Sequence, residues 1–351
     1  AGRMKQAAQT ARKLRATHVT LAHGGGGKAM RDLIEDVFTS RFKPDGAEDQ
    51  ARLEPGALAQ EGAKLAFTTD SFVVYPLEFP GGDIGRISVC GTVNDLAVGG
   101  ATPLWLSASF ILEEGIEVDL LRRVVDSMCK AADEAGVKIV TGDTKVVERG
   151  SADKLFITTS GVGVIPSGRN LSATSVREGD VAIVSGLLGD HGATILAARG
   201  DLAINADIRS DGQPLGELMD AVINAAPNLR CSRDATRGGL ASALNEIAEA
   251  SAVSILIDET LLPLRKEVRG VCEILGLDPL YLANEGALVV FAPESEANAA
   301  LEAMRSVKAG KNAAIIGHAK SGIAGRVEMK TIFGGARIVE MLVGEQLPRI
   351  C

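Results

Sequence analysis

The order of apolar segments between residues 64 and 165 is the feature that most restricts the fold of this chain. Four segments have the length and residue types of strands, and one long segment carries apolar side chains at helical spacing. The strand-like segments are residues 64–69, 106–112, 137–141 and 155–165, and the helical pattern covers residues 118–135. Strands and helices that alternate along a chain predict an α/β unit with helices packed on a sheet.

A second series of the same kind begins near residue 172, so we expect two α/β units. A length of 351 residues is enough for about two domains, each with its own core. The predicted divisions are a basic N-terminal extension at 1–20, a first domain at 21–166, a second domain at 172–333, and a strand with a flexible tail at 334–351. The extension lacks the apolar core of a targeting peptide, so we expect it to be solvated.

Composition and charge exclude several classes of function. Lys and Arg number 37 against 45 Asp and Glu, a net charge of −8, and aromatic residues make up 3%. Such a chain is a poor partner for nucleic acid or an anionic membrane. No stretch approaches the ~20 apolar residues that cross a bilayer. The five cysteines are widely spaced without a CxxC pair, which disfavours a zinc site and favours a reduced, cytoplasmic compartment.

Four aspartates predict a magnesium site. Asp70 and Asp143 follow predicted strands, where α/β proteins bind ligands, and Asp83 and Asp95 lie in glycine-rich segments, Asp95 near a predicted short helix start. Several acids at one edge repel one another unless a cation lies among them, and carboxylate oxygens favour Mg²⁺ that bridges nucleotide phosphates. The alternative is that each is a solvated loop acid or a helix cap.

Two glycine-rich segments can bind an anion. Gly24–Gly27 and Lys28 precede a helical pattern, although Ala22 and Ala29 rule out a Walker A loop; a flexible connector is the alternative. The segment 234–239 opens another helix, where Asp234 or Thr236 can cap and Arg237 with the glycine amides can hold an anion. His191 also follows a glycine turn, and we interpret it as a loop or cap residue because no partner is identifiable.

The tail, residues 344–351, ends in a cysteine. Pro348 favours an extended conformation, and eight extended residues span roughly 25 Å, enough to carry the Cys351 thiol from a domain surface into a cleft. Arg349 favours the thiolate and a carboxylate beside the sulfur opposes it. We therefore expect a thiol with an ordinary pKa, about 8.5.

Eight stretches, taken in this order, resemble the HypE family of hydrogenase maturation factors, within the PurM-like ATP-dependent superfamily. They cover the chain from about residue 20 to its end, and the last is specific to the HypE family. They are residues 23–27, 69–71, 79–85, 91–96, 142–147, 234–240, 284–286 and 348–351. One departure is Ala235, where the family commonly has proline; it removes no functional group.

The resemblance implies a two-domain PurM-like α/β fold whose N-terminal sheet pairs across a homodimer, with a flexible C-terminal tail. It implies that the carbamoyl transferase HypF places a carbamoyl group on the Cys351 thiol. It also implies that the chain then uses ATP and Mg²⁺ to dehydrate this group to a thiocyanate. The cyano group passes to iron on the HypC–HypD complex and becomes a cyanide ligand of the [NiFe] hydrogenase centre.

The same resemblance, read with the chemistry, gives the expected site residues. Expelling the carbamoyl oxygen requires phosphoryl transfer to it and a base for the nitrogen protons. The expected catalytic residues are Cys351, Lys145 as an electrostatic or proton-transfer partner, and Glu285 as base; the alternative for Glu285 is a surface turn. The expected metal ligands are Asp70, Asp83, Asp95 and Asp143. The expected nucleotide-binding residues are Gly24, Gly25, Gly26, Gly27, Lys28, Asp70, Gly82, Asn94, Thr144, Asp234 and Arg237.

Rival functions are other PurM-like activities and a non-catalytic carrier. Aminoimidazole ribonucleotide synthetase and thiamine-phosphate kinase give no role to a terminal thiol. Selenophosphate synthetase needs a reactive cysteine or selenocysteine near the N-terminal glycine loop, where this chain has none. A carrier presents the modified tail to partners while ATP only regulates the tail's position.

Overall fold

The computed structural model describes residues 14–43, 51, 53, 56, 60–200, 207–344 and 349–351. The predicted extension up to residue 13 and Pro348 of the tail lie outside these residues. The strands, in chain order, are β1 (Lys64–Phe72), β2 (Glu78–Phe79), β3 (Gly82–Asp83), β4 (Thr102–Glu113), β5 (Lys138–Val147), β6 (Leu155–Ile165), β7 (Val181–Val184), β8 (Cys231–Asp234), β9 (Ser254–Asp258), β10 (Leu288–Ala292), β11 (Ala314–Lys320), β12 (Val327–Lys330) and β13 (Ala336–Ile338). The helices are α1 (Lys28–Leu33), α2 (Ser40–Phe42), α3 (Ile84–Val98), α4 (Val118–Ala135), α5 (Asp190–Arg199), α6 (Gly216–Ala225), α7 (Gly239–Ser251), α8 (Lys266–Leu275) and α9 (Glu294–Ser306), and a π-helical stretch (Ile34–Thr39) joins α1 to α2.

The first unit is a four-stranded sheet in the order β1-β6-β4-β5, in which β4 and β5 are parallel and the other neighbours antiparallel. Helix α3 packs on β1 and β6, and α4 packs against α3 and β5. Two glycines let α3 approach closely: a Cβ at Gly85 would lie 2.4 Å from the Val124 carbonyl oxygen, and one at Gly91 would lie 2.9 Å from the Phe72 ring. The sheet face opposite these helices is open, and Leu65 and Phe67 on it are 63% and 67% exposed.

The second unit is a seven-stranded sheet in the order β13-β12-β9-β11-β7-β10-β8. Strand β10 is buried along its whole length because both faces are covered. Val290 packs in the cluster that contains α6 and α9, whereas Val289 and Phe291 pack in the cluster that contains α7. Side chains that alternate along a strand point to opposite faces, so helices cover both faces of this sheet.

The two units meet at α3. The buried Asn94 side chain accepts a hydrogen bond from Leu215 N (2.8 Å) and donates to Gln213 O (3.1 Å) and Glu285 O (3.3 Å). At the first turn of the same helix, Arg86 Nε donates to Gly212 O over 2.7 Å. Helix α3 therefore fixes how the second unit lies on the first.

The structure confirms the two α/β units, the helix over 118–135 and the strand over 155–165. Three of the predicted aspartate positions are wrong. Asp70 and Asp143 do not follow their strands but lie inside β1 and β5, which continue to Phe72 and Val147. Asp95 lies in the last turn of α3, not near a helix start. Strand β13 pairs with β12, so the second sheet extends past the predicted division at residue 333.

Candidate active site

The last three residues are docked along the chain that continues β1, and we call Arg349, Ile350 and Cys351 the docked segment. Val73 N donates to Cys351 O (3.0 Å) and Tyr75 N donates to Arg349 O (3.1 Å), an antiparallel pairing. Ile350 is 7% exposed and belongs to the core of the first unit. Cys351 is therefore half-buried, in the cleft between the two units.

Contacts of Arg349 secure the outer end of the docked segment. Its guanidinium forms an ion pair with Asp153 and stacks on the Tyr75 ring, 4.7 Å from the centroid. Its carbonyl oxygen also accepts a hydrogen bond from Arg199 Nη2 over 2.9 Å. The positive charge is thus used to hold the chain, with Asp153 as its partner.

The Cys351 thiol lies among acids. It is within hydrogen-bond reach of the Glu285 carboxyl group, and Asp70 and Arg237 also act on it electrostatically. Burial, and then the charge of Glu285, raise the pKa of the Cys351 thiol far above its usual range. The expected ordinary pKa of about 8.5 is therefore wrong, because the sequence could not show that the sulfur is removed from water. In the docked position the sulfur is a neutral thiol at pH 7.

Glu285 is a buried carboxyl group and not a surface-turn residue. It is 2% exposed, and its Oε1 atom has no hydrogen-bond partner. Burial, and then the charges of Asp211, Asp70 and Asp234, raise the pKa of Glu285 well above its usual value. A carboxyl group with a raised pKa and a free acceptor oxygen is suited to take a proton from a group on the neighbouring sulfur.

The turn that carries Glu285 is fixed by its neighbours. The Asp211 carboxylate accepts hydrogen bonds from Glu285 N (3.0 Å) and Gly286 N (3.1 Å), and Asn284 Oδ1 accepts one from Gly189 N (2.7 Å). Only glycine fits at 286, since a Cβ there would lie 2.0 Å from the Asp211 carbonyl oxygen. The backbone around the acid therefore has little freedom to move.

Asp70, Asp95 and Asp234 form a group of mutually repelling acids with Glu285. Burial, and then the charge of Asp95, raise the pKa of Asp70 and raise the pKa of Asp234 to about 6. Burial also raises the pKa of Asp95, although Thr68 Oγ1 donates to it over 2.9 Å. Arg237 partly offsets the charge of this acid group. A cation or a set of hydrogen-bond donors bound here would remove the repulsion.

The predicted four-aspartate metal site does not assemble within one chain. Asp83 is the N-cap of α3, where it accepts a hydrogen bond from Arg86 N (2.9 Å), and Gly82 lies beside it. Asp95 is twelve residues further along this helix, which places the two acids about 18 Å apart. In the part of the chain that the structure describes, no three His, Cys, Asp or Glu side chains are arranged to hold a metal ion.

Asp143 is separated from Asp70 by the sheet. Asp70 pairs with Thr159 and Thr159 with Ala108, whereas Asp143 pairs with Ser109, the residue after Ala108. Three strand spacings amount to about 14 Å, and the one-residue offset puts Asp143 on the open face, opposite to Asp70. Its carboxylate pairs with Lys145 at 3.1 Å, and this bond lowers the pKa of Asp143.

The glycine run, Gly24–Gly27, lies beside β5 in the first unit. A Cβ at Gly24 would approach Val146 Cβ to 2.8 Å, so glycine is required for the contact with β5. The neighbouring exposed residues are Gly25, Gly26, Gly27 and Lys28, and Lys28 pairs with Asp32. Together with Asp143 and Lys145 they form what we call the β5 strip, the part of the first unit that is open to an anion.

Three further expectations about nucleotide-binding and capping residues are wrong. Asn94 is 2% exposed with its amide fully engaged between the units, so it cannot contact a nucleotide. The Thr144 side chain is 2% exposed and faces the core, not the β5 strip. Neither Asp234 nor Thr236 caps α7, whose N-cap is Gly238 without a side-chain bond. Arg237 stays exposed beside the acid group.

The structure brings two further residues to the site, neither of which was predicted as a site residue. His191 is fully buried, with Nδ1 2.8 Å from Ser210 Oγ and Nε2 2.7 Å from Ile350 O, so the interpretation as a loop or cap residue is wrong. Asp211 supports the Glu285 turn and was not singled out. Both belong to contacts between residues far apart in the chain, and a glycine turn before His191 was the only local signal.

The chain matches two families that together span most of its length. Residues 47–165 match the N-terminal domain of AIR synthase related proteins, and residues 177–330 match their C-terminal domain. "Carbamoyl dehydratase HypE" of Rhodobacter capsulatus is 70% identical over 338 residues, covering 96% of this chain and 99% of the relative. In the described residues, no helix is both long and apolar enough to cross a bilayer.

Two solved structures share the arrangement of both units. A structure of hydrogenase maturation protein HypE in complex with ATP has a TM-score of 0.88 and 48% identity, covering 95% of this chain and 99% of its own. A structure of a HypE–HypF complex has a TM-score of 0.77 and 46% identity, covering 88% of this chain and 99% of its own. The ATP and the HypF are those of the two solved proteins.

Proposed function

The chain belongs to the HypE family of carbamoyl dehydratases, and on that premise we propose that it uses ATP to dehydrate a carbamoyl group on the Cys351 sulfur to a thiocyanate. The cyano group then supplies the cyanide ligand of the [NiFe] hydrogenase iron centre. One observation carries the proposal: the half-buried Cys351 residue places its thiol against a buried carboxyl group that has an unpartnered oxygen. A group built on that sulfur meets Glu285.

The reaction removes one oxygen and two protons from S–C(=O)–NH₂. The carbamoyl oxygen takes the γ-phosphoryl group of ATP, and a first nitrogen proton leaves to give a C=N bond. Phosphate then departs with the C–O bonding pair while the second nitrogen proton is lost, which leaves S–C≡N, ADP and phosphate. Glu285 Oε1 accepts the first nitrogen proton, since it is buried next to the sulfur and otherwise unpartnered, and the departing phosphate takes the second.

The acid group and the start of α7 are suited to a nucleotide with a divalent cation. Mg²⁺ needs only one or two carboxylates when it also binds phosphate oxygens, so three protein ligands are not required. Asp70 and Asp95 would hold the ion, with Asp234 close by; when bound, it neutralises charge on the transferred phosphoryl group. Arg237 and the amides of Gly238 and Gly239 would face the phosphates.

We assign Lys145 and the β5 strip to the site through a homodimer. Asp143 and Lys145 lie on the open face of the sheet, away from the acid group of their own chain, so they cannot reach the same carbamoyl group. That face is apolar enough for a second copy to cover it, since Leu65, Phe67 and Ile111 are exposed there. Two sheets packed face to face would bring the β5 strip of one chain to the cleft of the other.

The docked position of the sulfur requires the segment to move between the partners that the family resemblance implies. A thiol docked against Glu285 cannot at the same time enter the active site of another protein, so the docked segment leaves the cleft for loading by the transferase HypF and returns for dehydration. It leaves again to deliver cyanide to iron on the HypC–HypD complex. The cysteines are free thiols, which supports a reducing, cytoplasmic setting.

Mass spectrometry of the carbamoylated chain tests the proposal. On addition of ATP and Mg²⁺ the carbamoylated chain loses the mass of one water. Glu285→Gln keeps the size of the side chain and removes the base, so it holds the carbamoyl group without losing water, and Cys351→Ala accepts no carbamoyl group. A wild-type chain that keeps its carbamoyl group with ATP and Mg²⁺ would support the carrier function instead.

A further inference from the structure

His191 connects the docked segment to the second unit through a hydrogen bond to the peptide group that precedes Cys351. The ring lies at the start of α5, fully buried, edge-on to Phe79 with the ring centroids 5.5 Å apart. Its Nε2 atom is 2.7 Å from the Ile350 carbonyl oxygen. That oxygen can only accept, so Nε2 carries the hydrogen.

The other nitrogen fixes this tautomer. Nδ1 of a neutral ring with hydrogen on Nε2 is an acceptor, and Ser210 Oγ lies 2.8 Å away to donate to it. Ser210 Oγ in turn accepts a hydrogen bond from Gly212 N over 3.2 Å. The pKa of His191 is lowered by burial to about 4, so the ring stays neutral at pH 7 and adds no charge beside Glu285.

The contact determines where the sulfur points. The Ile350 carbonyl and the Cys351 Cα share one peptide plane, so holding the oxygen restricts the direction of the Cα–Cβ bond. Val73 N holds the carbonyl on the other side of the same Cα over 3.0 Å. Hydrogen bonds from His191 of the second unit and Val73 of the first thus hold the main chain on both sides of the reacting residue.

One short segment orients both this histidine and the base. Ser210 sets the His191 ring, and the next residue, Asp211, accepts from Glu285 N and Gly286 N. Ser210 N is itself tied to the first unit by a hydrogen bond to Pro80 O over 2.9 Å. The sulfur and the carboxyl group are therefore placed relative to one another through a common support.

We propose that His191 is a positioning residue for the dehydration: it donates from Nε2 to the Ile350 carbonyl and so holds the Cys351 sulfur against Glu285. It takes no part in proton transfer, because its two ring nitrogens are already engaged. This role rests on the proposed function, yet the docking that it requires can be measured without ATP. A displacement of about 1 Å at a reacting atom is enough to slow a reaction by roughly a hundredfold.

Two amide variants separate the two contacts of the ring. His191→Gln places an amide nitrogen near the position of Nε2, where it can still donate to Ile350. His191→Asn places its amide near Nδ1, where it reaches Ser210 but not the docked segment. Both substitutions bury a neutral amide at the same site of α5, so they are matched in polarity. His191→Phe keeps the ring shape against Phe79 and removes both contacts.

The test measures alkylation of Cys351 by iodoacetamide in the full-length chain without ATP, read by mass spectrometry of the C-terminal peptide. Loss of one buried hydrogen bond should make Cys351 in His191→Asn and His191→Phe react about tenfold faster than in His191→Gln. ATP-dependent loss of water from the pre-carbamoylated chain should fall in the same order, with the dissociation constant for ATP unchanged. Equal alkylation rates for Asn and Gln would overturn the proposal, as would faster alkylation with normal dehydration.

Failure of the proposed role of His191 can be distinguished from failure of the proposed function. If the wild-type chain loses no water, the enzymatic assignment fails, while the alkylation comparison still decides whether His191 holds the docked segment. Should His191→Phe not fold, the Asn and Gln pair alone decides it. Ser210→Ala serves as a control: it removes the bond to Nδ1 and leaves Nε2 free to donate, so it should protect Cys351 better than His191→Asn does.

Discussion

Replacement of Ile350 by alanine should release the docked segment while leaving the rest of the fold intact. The side chain is 7% exposed and packs in the core of the first unit, and Ile350→Ala removes three buried carbon atoms. At about 0.8 kcal/mol per buried methylene, the docked state loses about 2 kcal/mol. We assign this loss to the docking equilibrium of residues 349–351, so the undocked population rises roughly thirtyfold.

The measurement is again the alkylation rate of Cys351, which follows the undocked population when docking is fast. Val343→Ala is the matched control: it removes two carbons from a side chain that is 92% exposed in the same part of the chain, and the rate should not change. The thermal midpoint of Ile350→Ala should stay near that of the wild type. An unchanged alkylation rate, or a fall in the midpoint without faster alkylation, would refute the docking described for residues 349–351.

Three further predictions test the acid group, the open sheet face and the corrected metal assignment. The pKa of Asp234 is raised to about 6 in the folded protein, so between pH 4 and 6 the folded state holds a proton that the unfolded state has lost, and stability falls as pH rises through this window. Asp234→Asn should therefore raise the free energy of unfolding at pH 7, by a few kcal/mol at most, and leave it unchanged at pH 4 in urea titrations. Phe67→Lys should convert a dimer to a monomer in sedimentation experiments and abolish dehydration, whereas Phe333→Lys, also on an exposed surface, should do neither. Asp83→Ala should lower stability by about 1 kcal/mol through loss of its cap and retain dehydration, whereas Asp70→Asn should abolish dehydration; the reverse result would restore Asp83 as a metal ligand.

The sequence predicted elements well where the apolar pattern was regular. Helix α4 has apolar side chains at helical spacing, and Gly136 with φ +69° ends it, so its limits were correct. Strand β1 was cut short because residues 68–71 are polar, although their main chain continues to pair with β6. Helix α3 was missed because it is buried on nearly every side and lacks an amphipathic pattern.

The site was predicted in its chemistry and not in its geometry. The acids and a terminal thiol were chosen from residue types, and Glu285, which was predicted as the base, lies buried beside that thiol. Which acids share a face depends on sheet register and on position along α3, and neither can be read from one sequence. Partners such as His191 for Ile350, 159 residues apart, depend on the packing of the two units.

The central claim is that the carbamoyl oxygen leaves as phosphate from a group held on Cys351. The most direct measurement uses a chain carbamoylated with a heavy isotope of oxygen in the carbonyl group, incubated with ATP and Mg²⁺, with the phosphate product collected for mass analysis. The account predicts that the label appears in inorganic phosphate in a single turnover, and that Glu285→Gln releases none. Label that appears in water, or that stays on the chain while ATP is consumed, would contradict it.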